Sequence, residues 1–168
     1  MPTCSKKMST PDAQSLLQSF ALTQKIIELQ TEGLSHADSL LQLPFRGNCL
    51  NWVLGHILVG RNSVLKLLGQ PPIWGEEASR YESGSVPLVD DERALPLDLL
   101  LRDLDRSQQQ ITAALESISP GALAMVIESR GRQQSVGQTI AGLHWHETYH
   151  TGQLELLRQL AGTDDAII

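Results

Sequence analysis

The sequence predicts an all-α protein, a four-helix bundle with a long connection between its second and third helices. Hydrophobic residues make up 41% of the 168 residues but aromatic residues only 4%, a balance that favours helices over a sheet. Four segments of roughly twenty residues repeat apolar side chains at the helical period. A chain of 168 residues is long enough to form one hydrophobic core, as in a single domain. We therefore expect a flexible N-terminus over residues 1–9 and a single bundle domain over residues 10–168.

The first helix is expected to begin near Thr10. A hydroxyl residue there can cap the helix, Pro11 suits the first helical position, and Asp12 places an acid in the first turn. The helix should run to about Gln30, before Gly33. Its inward face is predicted to carry Leu16, Phe20, Thr23 and Ile27.

A short helical segment over 34–43 should end before Pro44, and the second helix should span about 48–68. The region 69–95 contains several proline and glycine residues, which indicates a long connection. One face of the second helix carries Cys49, Val53, His56, Gly60, Val64 and Leu67.

The third helix should span about 96–118 and end at Pro120 and Gly121. Residues 122–134 are ambiguous between a short extended run and a turn. The fourth helix has a well-marked start, because Ser135 and Gln138 match a capping box. The inward side chains of the third helix are predicted to be Leu97, Leu100, Leu101, Leu104, Ile111, Ala114, Leu115 and Ile118.

Two histidines of the fourth helix stand where core residues are expected. Positions 136, 140, 143, 146, 150, 154, 157 and 161 form one stripe of helical period, and His146 and His150 lie on it. His56 occupies the inward face of the second helix. A lone inward histidine is more often a hydrogen-bonded core residue than a ligand. Three neutral imidazoles directed at one point, however, can hold a divalent metal with an open position, so the sequence predicts a metal site.

The other polar and aromatic candidates receive structural interpretations. Glu147 is offset by about 100° from His146, so it is either an exposed acid or a weak catalytic candidate beside the site. Arg61 and Arg158 could meet a carboxylate of a ligand, but surface ion pairs are expected for both. We expect His144 to be peripheral and His36 to be solvated. Trp52, Trp145 and Tyr149 should pack within the bundle or at a subunit contact. Trp74 and Tyr81 should pack beneath the long loop unless they form a lid over the site.

The string from His146 to His150 also matches the H-E-x-x-H motif of zinc proteases, in which the glutamate is the general base. Metzincins then require glycine three residues after the second histidine and a third histidine beyond it. Position 153 is Gln153 and no later histidine occurs. The same string holds one E-x-x-H unit of the di-iron bundles, which need two such units. The sequence therefore favours a site with one metal ion over a di-iron site.

Composition limits the partners. A net charge of -6 leaves no basic stripe for phosphates, so we expect no nucleic-acid binding. The sequence contains no run of eighteen apolar residues, so we expect no membrane-spanning helix. The continuous apolar segment of a signal peptide is not found after Lys6 and Lys7, so we expect no secretion. The two cysteines, Cys4 and Cys49, do not make a disulfide framework, which favours a cytoplasmic location. A small molecule or a second copy is the expected partner.

Two segments resemble the DinB/YfiT-like superfamily of metalloenzymes. Asn51-Trp52-Val53-Leu54-Gly55-His56 resembles its first ligand helix, and His146-Glu147-Thr148-Tyr149-His150-Thr151-Gly152-Gln153, with Leu157-Arg158 after it, resembles its last. The resemblance implies a four-helix bundle with His56, His146 and His150 as metal ligands. It implies zinc or nickel, and frequently a homodimer. Characterised relatives are transferases and isomerases that use thiols such as bacillithiol, mycothiol or glutathione.

The leading functional hypothesis is a mononuclear metal enzyme that activates a low-molecular-weight thiol for transfer to an electrophilic small molecule, in stress or detoxification. One alternative is a hydrolase that uses metal-bound hydroxide, with Glu147 accepting the proton. Another is a metal-binding stress protein without turnover. The three hypotheses share the same predicted ligands.

Overall fold

The computed structural model describes residues 10–90, 92–129 and 131–163, and it confirms the all-α fold. The expected flexible segment 1–9 lies outside the described residues. Two short strands form an antiparallel hairpin beside the bundle, with Val126 opposite Ser135. In chain order the elements are α1 (Ala13–Thr31), α2 (His36–Ser39), α3 (Leu50–Leu67), a 3-10 turn (Glu76–Arg80), α4 (Leu97–Ser117), α5 (Pro120–Ala124), β1 (Val126–Ser129), β2 (Arg132–Ser135) and α6 (Val136–Leu160).

The four long helices form a closed ring of contacts. Helices α1 and α3 each pack against both α4 and α6. The segment Leu50 to Leu58 of α3 is buried on every side, as expected for a helix that is apolar all round. The predicted inward residues of α1, Leu16, Phe20, Thr23 and Ile27, are all buried.

The start of α1 differs from the prediction. Asp12, not Thr10, is the N-cap, because its carboxylate accepts a hydrogen bond of 2.7 Å from the Ser15 amide. The Thr10 hydroxyl instead donates to Ser135 at the start of α6, 3.0 Å away. The helix ends at Thr31, and Gly33 follows with φ of 78°, a conformation that favours glycine.

The region after α4 also differs. Pro120 and Gly121 were expected to end the third helix, which stops earlier at Ser117. Pro120 instead lies in the first turn of α5, which Ser119 caps through the Ala122 amide. The ambiguous stretch that follows contains the hairpin, and the Ser135 capping box of α6 is present as predicted.

The long connection between α3 and α4 is packed into the core. Trp74 and Tyr81 are both buried, and the Trp74 indole donates to Asp103 over 2.8 Å. Gly55 lies against the Tyr81 ring so closely that a methyl group at this position would overlap it. These two aromatic residues therefore have the packing role and are not a lid. Within the described parts of the chain, no helix has the length and apolar character needed to cross a bilayer.

Candidate metal centre

Three histidines from two helices converge at one point. His56 comes from the buried helix α3, while His146 and His150 come from one face of α6. One ring nitrogen of each lies within 4.8 Å of the others. The Nε2 atoms of His146 and His150 are 3.1 Å apart. The three side chains that the sequence placed together therefore do meet, and their nitrogens can hold one metal ion.

Hydrogen bonds at the outer nitrogens set the tautomers of two rings. The Nδ1 atom of His56 lies 2.6 Å from the Tyr81 carbonyl oxygen, and Nδ1 of His150 lies 2.8 Å from the Gln153 amide oxygen. A carbonyl oxygen can only accept, so each Nδ1 carries the proton. The Nε2 atoms of His56 and His150 then carry a lone pair and no proton, and in the absence of metal the Nε2 atom of His146 is within hydrogen-bond distance of that of His150. Such outer contacts orient ligand rings in metal sites and raise their basicity.

Burial keeps the His150 ring unprotonated at neutral pH by lowering its pKa. It lowers the pKa of His150 from 6.5 to about 4; the Gln153 contact opposes this shift, while the neighbouring His56 and His146 add to it. At pH 7 the His150 ring is therefore neutral. A neutral imidazole is the form that ligates metal, so no proton has to be displaced from this ring. Trp52 stacks on His56 at a ring distance of 4.6 Å and fixes its plane.

The donor set fits a divalent transition metal. Three neutral imidazoles suit zinc and nickel alike. Because no fourth His, Cys, Asp or Glu among the described residues joins the group, a position is left for an exogenous ligand. The histidines lie in a cleft of about 520 Å³ lined by α3, α6 and the loop before α3. This size accommodates a small organic ligand.

Glu147 and Arg61 have roles that the sequence interpretation did not foresee. Both were expected at the surface, but Arg61 is fully buried and Glu147 is 4% exposed. The Arg61 Nε and Nη2 atoms donate to the two Glu147 carboxylate oxygens over 3.0 and 2.7 Å. Thr23 donates a further bond of 2.7 Å to Glu147. The third guanidinium nitrogen of Arg61 binds Gln24, Ser107 and the Leu104 carbonyl, so the pair joins all four long helices.

Several other polar and aromatic side chains lie in environments that differ from those predicted. Arg158 is buried and donates to the Glu32 carbonyl over 2.7 Å at the end of α1, where a cation complements the helix dipole. His36 is half-buried, and its Nδ1 accepts from the Leu97 amide that begins α4. Trp145 is 70% and Tyr149 59% exposed, so neither packs inside the bundle, whereas Trp52 does. His144 lies on the far side of α6 from the three-histidine cluster, against Phe20.

The sequence contained partial signals for the missed residues. Glu147, Thr151, Leu154 and Arg158 follow one another at helical spacing on α6, and all four are buried. That pattern could have shown a buried face wider than the histidine stripe. No local pattern could identify Tyr81, because its contact with His56 uses a backbone oxygen 25 residues away.

Comparison with known proteins agrees with the fold. The arrangement defines a helical-bundle protein with a three-histidine group able to hold a metal ion. Residues 12–154 match the DinB superfamily, and the chain belongs to that family. A crystal structure of the conserved protein of locus from Enterococcus faecalis is similar in fold, with a TM-score of 0.70 and 16% identity over 92% of this chain and 100% of that one. Among curated proteins, none matches the chain.

Proposed function

We propose that this protein is a metal-dependent enzyme that activates a low-molecular-weight thiol and transfers it to an electrophilic small molecule. The single observation that carries the proposal is the three-histidine group that lines a ligand-sized cleft and has no fourth ligand among the described residues. A structural metal site would be closed by a fourth protein ligand. The use of thiols by characterised superfamily members favours sulfur as the activated atom.

The residues of the chain have defined tasks in this reaction. His56 and His150 present unprotonated Nε2 atoms, because Tyr81 and Gln153 accept hydrogen bonds from their Nδ1 atoms, and His146 supplies the third ring nitrogen. When bound, a divalent ion supplies Lewis-acid chemistry that lowers the pKa of a ligand thiol toward neutrality. The sulfur then forms a bond to the electrophilic carbon of the substrate while the bond to its leaving group breaks. The proton lost by the thiol passes to the leaving group, so the products are a thioether and the protonated leaving group.

The hydrolytic alternative is less well supported. It requires Glu147 to accept a proton, but both Glu147 oxygens are engaged by Arg61 and Thr23. Glu147 is also not among the side chains that line the cleft. A metal-binding stress protein without turnover is the competing hypothesis, and an assay for turnover separates it from the thiol-transfer proposal.

The finer assignments rest on the family resemblance and, for the location, on the low cysteine content. We propose zinc or nickel as the metal, a cytoplasmic location, a role in stress or detoxification, and a homodimer. Residues 10–168 are proposed as one domain. The exposed Trp145 offers apolar surface for a subunit contact, which light scattering on purified protein would test.

The test is a two-stage measurement on purified, tag-free protein. Elemental analysis should find about one zinc or nickel ion per chain. The metal-loaded protein is then incubated with bacillithiol, mycothiol or glutathione and a panel of electrophiles, and thioether formation is followed by mass spectrometry. The matched control is the same protein after chelation and the same mixture without protein. Stoichiometric metal with no conjugation by any thiol would favour the non-catalytic alternative.

A further inference from the structure

The cleft around the three histidines has a distinctive charge distribution. The whole sequence carries a net charge of -6, yet none of the described side chains that line the cleft is acidic. Apart from the histidines, its one charged lining residue is Arg46. With a divalent ion on the histidines, a dication and a guanidinium would share one cleft without a compensating carboxylate. Such a cleft attracts anions.

Arg46 is placed to bind a ligand and not to support the fold. It lies in the loop between α2 and α3 and is exposed. No described residue forms a hydrogen bond or ion pair with its side chain. Arg61 and Arg158, in contrast, are buried and connect helices to one another. The planar guanidinium of Arg46 therefore keeps its donors available, and these match a carboxylate in a bidentate geometry.

The same cleft also offers apolar surface. Phe45, the neighbour of Arg46, is 62% exposed, and Tyr149 and Leu156 of α6 are 59% and 53% exposed. All three line the cleft. Single exposed apolar side chains are ordinary, but several around one concave site indicate a surface that a ligand covers.

We propose that the molecule bound beside the metal is amphipathic and anionic, with a carboxylate that pairs with Arg46 and an apolar body against Phe45, Tyr149 and Leu156. Arg46 is thus a specificity-determining residue. The inference rests on the proposed function, because it concerns a reactant of the same site. The carboxylate can belong to the thiol or to the electrophile, and the experiment separates these two sources.

The first arm measures thiols on protein loaded with Co²⁺, whose charge-transfer absorption reports a bound thiolate. The probes are 3-mercaptopropionate and its neutral amide, 3-mercaptopropionamide. The second arm measures 3-phenylpropanoate and 3-phenylpropanamide, which lack sulfur, by calorimetry. Each arm compares the wild type with Arg46→Gln and with the control Arg106→Gln, which removes an equal charge from an exposed position of α4. Elemental analysis verifies equal metal content in all three proteins.

We expect the carboxylate probe of at least one arm to bind at least about tenfold more tightly than its amide, a difference of about 1.4 kcal/mol. Arg46→Gln should abolish the preference and Arg106→Gln should retain it. A preference in the first arm assigns the acid to the thiol, and one in the second arm assigns it to the electrophile.

Two results would overturn the proposal. The first is equal binding of acid and amide in both arms. The second is a preference that survives Arg46→Gln, since the metal itself would then be the partner of the anion. If no thiolate absorption develops with either thiol, the thiol-transfer function fails instead. In that case the second arm, which needs no thiol, still decides the role of Arg46.

Discussion

Arg61 and Glu147 form a buried, two-pronged ion pair in the middle of the bundle, with donor-acceptor distances of 3.0 and 2.7 Å. Arg61 lies on the helix that carries His56, and Glu147 directly follows His146. The pair therefore connects the two helices that supply the metal ligands. Its remaining donors reach α1 and α4, so every polar atom of the guanidinium is satisfied away from water.

Replacing Glu147 by Gln should destabilise the protein. The change leaves the Arg61 charge buried without its counter-ion, and removal of one partner of such a pair costs about 3–5 kcal/mol. Urea unfolding of metal-free protein measures the loss. The control is Glu155→Gln, an exposed acid on the same helix, which should change stability by less than about 0.5 kcal/mol. Equal stability of the two variants would show that the ion pair does not hold the bundle together.

Metal binding should depend on His150 and not on its neighbour His144. His150→Ala removes one of three converging nitrogens, whereas His144 faces Phe20 on the other side of α6. Elemental analysis of both variants should find metal retained in His144→Ala and lost in His150→Ala. Retention of stoichiometric metal by His150→Ala would remove His150 from the ligand set.

Gly55→Ala should weaken the site through Tyr81. The added methyl group would overlap the Tyr81 ring, whose backbone oxygen holds His56. Overpacking of this kind typically costs about 1–3 kcal/mol, and loss of an outer contact to a ligand lowers metal affinity by about 10–100-fold. Competition with a chromophoric zinc chelator measures the affinity.

The matched control for this change is Gly60→Ala. Gly60 lies on the same helix with open space around it, so alanine should stabilise the helix by about 0.5–1 kcal/mol. If Gly55→Ala and Gly60→Ala changed the metal affinity and the free energy of unfolding in the same direction, helix propensity would explain both effects, and the Tyr81 contact would not.

Cys49 should be unreactive in the native protein. Burial raises the pKa of its thiol above the ordinary value of 9.0, so the thiol stays protonated at pH 8. In a Cys4→Ser variant, Ellman's reagent should modify Cys49 at least about tenfold more slowly in native than in urea-unfolded protein. Thiol transfer should also survive Cys49→Ala. Loss of transfer in that variant, with metal retained, would implicate a protein thiol in the reaction.

Much of the fold follows from local sequence patterns. The helical period identified all four long helices, and the Ser135 capping box located the start of α6. Helix starts shift where two local signals compete: Thr10 and Asp12 could each cap α1, and Thr10 is instead engaged by Ser135. Periodicity also placed His56, His146 and His150 inward, because a spacing of three or four residues fixes the face of a helix on which a side chain lies.

The sequence by itself thus determined the four long helices, the apolar part of their inward faces and the placement of the three histidines on those faces. Only the tertiary structure decided which polar partners meet. Arg61 and Glu147 resemble surface charges in isolation, since burying either one alone is unfavourable; burial becomes possible because the partner arrives from 86 residues away. The Tyr81 oxygen that orients His56 belongs to a backbone whose position depends on how the long connection packs on Gly55. The helical period of the sequence specifies the face of a helix on which a side chain lies, and the packing of distant segments specifies which partner that side chain meets.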